Sequence, residues 1–274
     1  ALFDWPGLQA AVVNRDDPAG ERLLAELSAR PLDLWSLSAQ GPARLCAQDI
    51  TPAAQGLCFT VVEGAERHRL QTQVIGHYNI LNLLGVLASL RSLGVSLADA
   101  VEVCGALQAV PGRMEQLARP GQPLVAVDYA HTPDALDKAL QALRPLAQAR
   151  GGQLGCVFGC GGDRDAGKRP LMGAVAQQHA DWVVVTSDNP RSEDPARILH
   201  QILQGTIAGE TVRAVPDRAA AIALALAEAE PADVVLIAGK GHESTQETAG
   251  VCRPFSDMAE ARKALQVREG APWP

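Results

Sequence analysis

Leu154-Gly155-Cys156-Val157-Phe158-Gly159-Cys160-Gly161-Gly162-Asp163-Arg164-Asp165-Ala166-Gly167-Lys168-Arg169-Pro170 is the stretch that decides the fold. A short apolar run, read as a strand over 153–158, stops at a glycine-rich polar loop. Pro170 then opens a helical pattern that continues to 179. The same strand–loop–helix grammar recurs on either side. Strands are expected at 123–128, 182–186, 211–215 and 234–238, and helices at 133–150, 195–204, 218–228 and 257–266. Apolar strands that alternate with helical segments predict an α/β domain whose mostly parallel sheet is covered on both faces.

Upstream the pattern differs. Residues 10–13 read as a buried strand, and Asp16-Asp17-Pro18 opens a helix that runs to about residue 29. From 32 to 74 the sequence is strand-like, with turns expected at Gly41-Pro42, Thr51-Pro52 and Glu63-Gly64. Helices are expected at 79–93 and, capped by Ser96, at 97–107. Pro111-Gly112 marks the domain boundary, giving domains at 1–111 and 112–274. The chain opens on Ala1-Leu2-Phe3 without Met and reads as part of something longer. A first domain without its upstream strands would present an open sheet edge.

Composition excludes several classes. Of the 274 residues 47% are apolar and 20% charged, an ordinary soluble balance, and only 4% are aromatic. A net charge of -7 argues against a nucleic-acid partner, which needs clustered Lys and Arg to displace counterions. No run approaches the ~20 apolar residues of a membrane span, and no basic-then-apolar leader is present, so a cytoplasmic location is expected. Six scattered cysteines, with only Cys156 and Cys160 close together, read as reduced thiols rather than a metal or disulfide framework.

Ligands of an open α/β sheet collect outside the carboxyl ends of its strands. Four loops there concentrate the polar residues: Asp128-Tyr129-Ala130-His131-Thr132-Pro133, the stretch 159–170, Ser187-Asp188-Asn189-Pro190-Arg191, and Gly239-Lys240-Gly241-His242-Glu243. Each has a plain reading as well. Thr132 and Pro133 can simply start a helix, Asp188-Asn189-Pro190 can be an ordinary turn, and Lys240 and His242 can be solvated loop residues. Four such loops on one edge favour a site. Gly162 to Lys168 also fits the spacing of a phosphate loop, but Arg169 stands where a Ser or Thr must hold magnesium. The mixture of Arg, Asp and Glu suits instead a small ligand that bears carboxylates.

Asn79-x-x-Asn82, Gly112-Arg113-Met114-Glu115, the loop from Asp128, residues 158–173, Asp188-Asn189-Pro190-Arg191 and residues 239–243 resemble, in that order, the motifs of the Mur ligases. The likeness is greatest to the members that add diaminopimelate. It implies the later portion of a central ATPase domain followed by a Rossmann-like C-terminal domain. It also implies an ATP- and Mg2+-dependent amide ligase of peptidoglycan synthesis that joins meso-diaminopimelate to UDP-N-acetylmuramoyl-L-alanyl-D-glutamate through an acyl phosphate. By that likeness Asn79, Arg113, Asp128, Tyr129 and His131 would meet ATP. Arg164, Asp188, Asn189, Pro190, Arg191, Gly239 and Glu243 would meet diaminopimelate, with the two arginines forking its distal carboxylate and Asp188 and Glu243 accepting from its ammonium. The family's phosphate-loop Lys, its magnesium ligands and its carbamylated Lys would lie upstream of Ala1. No catalytic residue is therefore expected in this chain, and the chain alone is expected to be inactive. Two alternatives stand beside this reading, a sister ligase that adds L-lysine and a non-catalytic amino-acid-binding module.

Overall fold

Apolar strand runs and capped amphipathic helices form two units, residues 1–108 and 109–274. The structure, a computed structural model, describes residues 2–53, 56–207 and 209–269. Residues 54 and 55 of the strand-like stretch, and residues 1, 208 and 270–274 of the two expected domains, lie outside the described residues.

The first unit comprises β1 (Ala10–Asn14), α1 (Pro18–Leu27), β2 (Asp33–Ser38), β3 (Leu45–Ala53), β4 (Gly56–Glu63), β5 (Glu66–Thr72), α2 (Tyr78–Ser92) and α3 (Leu97–Gly105). Its sheet runs β1-β2-β3-β4-β5, with β1, β2 and β3 parallel and β3, β4 and β5 antiparallel. Asp17 accepts from the Ala19 N–H at 2.7 Å, and Pro18 takes the first helical position, where its missing N–H costs nothing. Trp35, Leu37, Phe59, Val61 and Leu70 bury against Ile80, Leu84, Leu87 and Leu97. One expected turn is corrected. Thr51 and Pro52 lie inside β3, after a register shift between Gln48 and Thr51. β2 pairs with β3 only at Leu45 and Cys46, so Pro52 needs no donor on that edge.

The second unit comprises β6 (Glu115–Leu117), β7 (Leu124–Asp128), α4 (Pro133–Arg150), β8 (Leu154–Phe158), α5 (Lys168–His179), β9 (Trp182–Val185), α6 (Pro195–Leu203), β10 (Val212–Ala214), α7 (Arg218–Glu228), β11 (Val234–Ala238), β12 (Thr245–Thr248), β13 (Val251–Pro254) and α8 (Asp257–Glu269). The strand order is β10-β9-β8-β11-β7-β6, all parallel except β6. Val125, Val127, Val157, Val184, Val235 and Ile237 pack under α7 and α8. On α4, Leu136, Leu140 and Leu143 are wholly buried. α5 starts at Lys168, two residues ahead of expectation, because Pro170 still falls in the first turn. Neither β6 nor the β12–β13 hairpin was expected.

Register sets up the site. Ala238 stands opposite both Asp128 and Phe158, and Phe158 opposite Val185. Four strands therefore end at one level, and the chain, after running one way through β7, β8, β9 and β10, turns back to set β11 between β7 and β8. Such a reversal opens a crevice for a ligand.

Candidate functional site

A cleft of about 360 Å³ opens at these strand ends. Tyr129 and His131 line it from the loop after β7, Gly159, Gly161, Arg164 and Lys168 from the loop after β8, Asp188, Asn189 and Arg191 from the loop after β9, and Gly239 and Glu243 from the loop after β11. All four loops read from the sequence thus meet in one place.

Glycine lets them meet. At Gly239, with φ +117°, a Cβ would stand 2.5 Å from the Asp188 carboxylate. At Gly162 a Cβ would stand 1.9 Å from the Pro190 carbonyl oxygen, whereas the Gly162 N–H donates to the Asn189 carbonyl at 2.9 Å. The loops after β8 and β9 thereby close face to face. Arg164 and Arg191 flank Gly161 together, since a Cβ there would lie 2.9 Å from Arg191 Nη1 and 3.7 Å from Arg164 Cγ. Arg191 Nη1 donates to the Gly162 carbonyl at 2.7 Å, and Arg164 is exposed.

The floor is a buried charge network. Lys240 is fully buried and donates to Asn189 Oδ1 at 3.0 Å and to Glu243 Oε2 at 2.9 Å, while Asn189 Nδ2 donates to the same Glu243 oxygen at 2.8 Å. Burial pushes Glu243 up, but the hydrogen bonds from Lys240 and Asn189 leave it below the ordinary glutamate value. Asp188 moves the other way, because burial raises it above the ordinary aspartate value and Arg218 and Lys240 only partly offset that. Arg218 and Asp257, neither of them solvent-exposed, pair through two hydrogen bonds of 2.7 Å. Arg218 also donates to the carbonyls of Ala238 at 2.9 Å and Ser187 at 3.3 Å, the residues just ahead of Gly239 and Asp188.

Around the Tyr129 ring the groups are softer. The Arg113 guanidinium lies 5.0 Å from the ring centroid and the His131 ring 4.6 Å. Asp128 is nearly buried, and its two oxygens accept from the N–H groups of Met114 at 2.9 Å and Ala130 at 2.8 Å. Burial raises its pKa above the ordinary value despite those bonds. Asn79 belongs to α2 in the first unit, where it donates to the Ile75 carbonyl at 2.6 Å and accepts from Asn82.

Every residue expected at the amino-acid site except Pro190 lines the cleft, and Pro190 forms the wall against Gly162. Two readings change. Asn189, expected to meet diaminopimelate, has its side-chain amide engaged by Glu243, Lys240 and the Glu247 N–H. Lys240, weighed as a solvated loop residue, is wholly enclosed. The sequence reading missed Lys240, Arg218 and Asp257. Only Lys240 carried a local signal, because the glycines on either side adopt positive φ, +117° and +54°, and turn the backbone inward.

Residues 1–90 match the Mur ligase middle domain, and residues 112–241 the glutamate ligase domain of Mur ligases. The chain belongs to the Mur ligase family. Among family relatives it is 69% identical over 270 residues to the UDP-N-acetylmuramoyl-L-alanyl-D-glutamate–2,6-diaminopimelate ligase of Acidovorax sp. (strain JS42), covering 98% of this chain and 54% of the relative. It is 46% identical to the ligase of the same name from Pseudomonas aeruginosa, again covering 98% of this chain and 54% of the relative. A solved structure of a ligase of that name superposes with a TM-score of 0.76 at 36% identity, covering 98% of this chain and 55% of that one. The MurF ligase of Thermotoga maritima, solved in complex with ADP, shares the fold alone, with a TM-score of 0.63 at 17% identity, covering 97% of this chain and 55% of its own. The chain spans about half the length of the curated relatives it matches.

Proposed function

We propose that this chain supplies the amino-acid site, and part of the nucleotide site, of a cytoplasmic ATP-dependent ligase that adds meso-diaminopimelate to UDP-N-acetylmuramoyl-L-alanyl-D-glutamate. One observation carries the reading: Arg164 and Arg191 flank Gly161 at the mouth of a cleft whose floor holds Asp188 and Glu243. The remote end of diaminopimelate is a zwitterion, which needs both guanidinium donors and carboxylate acceptors. Each charge-assisted contact is worth ~1.5–3 kcal/mol. L-lysine lacks the distal carboxylate and would leave both arginines without a partner, so the cleft favours diaminopimelate.

In the proposed reaction the γ-phosphoryl group of ATP moves to a D-glutamyl carboxylate oxygen, giving an acyl phosphate and ADP. The diaminopimelate amine attacks the acyl carbon, the C–N bond forms as the C–O bond to phosphate breaks, and inorganic phosphate and a proton leave. Residues 112–274 would hold the amino acid and offer Arg113, Asp128, Tyr129 and His131 as ATP-facing groups, and Asn79 of the first unit would be a further one. Among the described residues no group of three or more His, Cys, Asp or Glu is placed to hold a metal ion. The chain also lacks the family's phosphate-loop motif, so the 274 residues alone are expected to turn over no ATP. No helix among the described residues is long and apolar enough to cross a membrane.

The test is Arg191→Ala in a full-length ligase containing this chain. The KM for diaminopimelate is expected to rise at least tenfold, with little change in the KM for ATP. Equal rises in both would reject the assignment.

A further inference from the structure

The β12–β13 hairpin has no part in the function described above, yet it touches the site at five points. Gln246 Nε2 donates to the Asp188 carbonyl at 2.7 Å, and the Glu247 N–H donates to Asn189 Oδ1 at 3.1 Å. The Arg191 N–H donates to the Glu247 carbonyl at 3.0 Å, and the Arg191 carbonyl accepts from the Ala249 N–H at 2.7 Å. The Glu247 carboxylate lies 3.9 Å from Arg191 Nε. A single bridge, Arg191 to Thr248, thus adds the Asp188–Arg191 segment to the hairpin's edge.

Arg191 needs that support. Its φ is +52°, a left-handed conformation that a long L side chain adopts only when its surroundings over-determine it. Both of its backbone hydrogen bonds come from the hairpin, and its fork is tethered at the other end by the Gly162 carbonyl. An extended Arg191 would carry its guanidinium away from Gly161. The hairpin turn is itself under tension. Ala249 and Gly250, the two residues between the paired Thr248 and Val251, have φ of +51° and +74°. That is the signature of a primed turn, in which the first position prefers Asn, Asp or Gly over Ala.

We infer that the β12–β13 hairpin is a positioning element for the amino-acid site, and that through Gln246, Glu247 and Ala249 it holds Arg191 in the conformation that presents its fork to a ligand carboxylate. The inference rests on the functional reading above. It names residues that set amino-acid affinity without touching the amino acid.

Three variants of the full-length ligase test it. Ala249→Pro removes the N–H that holds the Arg191 carbonyl and cannot adopt φ +51°. Its KM for diaminopimelate is expected to rise about five- to tenfold, the scale of one lost hydrogen bond, while the KM for ATP stays put. Gln246→Leu is expected to follow the same pattern. Ala249→Gly keeps the N–H and relieves the turn, so its KM should equal or fall below that of the parent. A proline variant with unchanged diaminopimelate KM, a glycine variant as impaired as the proline one, or equal rises in both KM values would each overturn the inference. Hydrogen exchange at the Arg191 amide gives a readout that needs no activity. Protection there should drop in Ala249→Pro and persist in Ala249→Gly, and unchanged protection in the proline variant would overturn the inference. A parent enzyme that does not use diaminopimelate would instead reject the functional reading and leave the exchange result to decide the hairpin's role.

Discussion

Arg218→Met removes the cation of an ion pair that is fully enclosed on both sides. Arg218 and Asp257 have no exposed side-chain surface, and four hydrogen bonds leave the guanidinium, two to Asp257 and one each to the Ala238 and Ser187 carbonyls. Methionine fills much of the volume but pairs with none of these acceptors, so an uncompensated carboxylate stays buried. Breaking such a pair from one side costs about 3–5 kcal/mol. For a domain of this size that lowers the melting temperature by roughly 6–20 °C. The Arg218→Met/Asp257→Leu double variant should recover most of the loss, because removing both charges leaves no stranded ion. The two carbonyls would still lack a donor, so recovery should stop ~1–2 kcal/mol short of the parent. Denaturant titration supplies the total, and hydrogen exchange at the amides of β9 and β11 localises the change to the strands whose ends Arg218 joins. A single-variant cost under about 1 kcal/mol, or a double variant no more stable than the single, would refute the reasoning.

Gly239→Ala places a Cβ 2.5 Å from an Asp188 oxygen, at a φ of +117° that alanine rarely adopts. We expect a loss of about 1–3 kcal/mol by denaturant titration and a diaminopimelate KM raised at least tenfold, since Asp188 is enclosed and has nowhere to move. Glu193 is the pH-sensitive element outside the cleft. Its hydrogen bonds to the buried Arg169 guanidinium, both of 2.8 Å, help lower its pKa from 4.5 to about 2. A carboxylate depressed in the folded state contributes stability that is present above its unfolded pKa and is lost as pH falls through the folded value. Wild-type denaturation midpoints should therefore drop between about pH 4.5 and pH 2, and Glu193→Gln should flatten that part of the curve while lowering the plateau above it.

The second unit's strand–helix grammar was legible because its central parallel strands β7, β8, β9 and β11 are buried almost throughout and read as apolar runs. β6 was not, since three residues with intermediate burial at two of them carry no period. The β12–β13 hairpin was missed for a related reason. All four residues of β13 are exposed, so nothing in Val251-Cys252-Arg253-Pro254 marks a buried face, and the turn at Ala249-Gly250 lacks the Asn or Asp that usually signals one. Thr51-Pro52 misled in the opposite direction. Its turn chemistry is real, but an edge free of ladder partners lets β3 run through it.

For the site, sequence could find what lies near in the chain and not what balances it across the fold. Asp188, Asn189, Glu243 and the two arginines announce themselves in loops, but whether their charges are tolerable depends on Arg218, 39 residues from its partner Asp257, and on Lys240 being inside. Together the floor and its supports hold three carboxylates, Asp188, Glu243 and Asp257, against two cations, Lys240 and Arg218. Arg218 is taken by Asp257 and Lys240 by Glu243, and no ion pair to Asp188 forms among the described residues. A buried carboxylate left over in this way takes up a proton more readily than a free one, which is the direction burial drives Asp188. Under the proposed function, the positive charge that Asp188 lacks is the one a ligand ammonium would bring. The amino acid would therefore do more than fill the cleft, because it would complete the charge balance that the protein leaves open at Asp188.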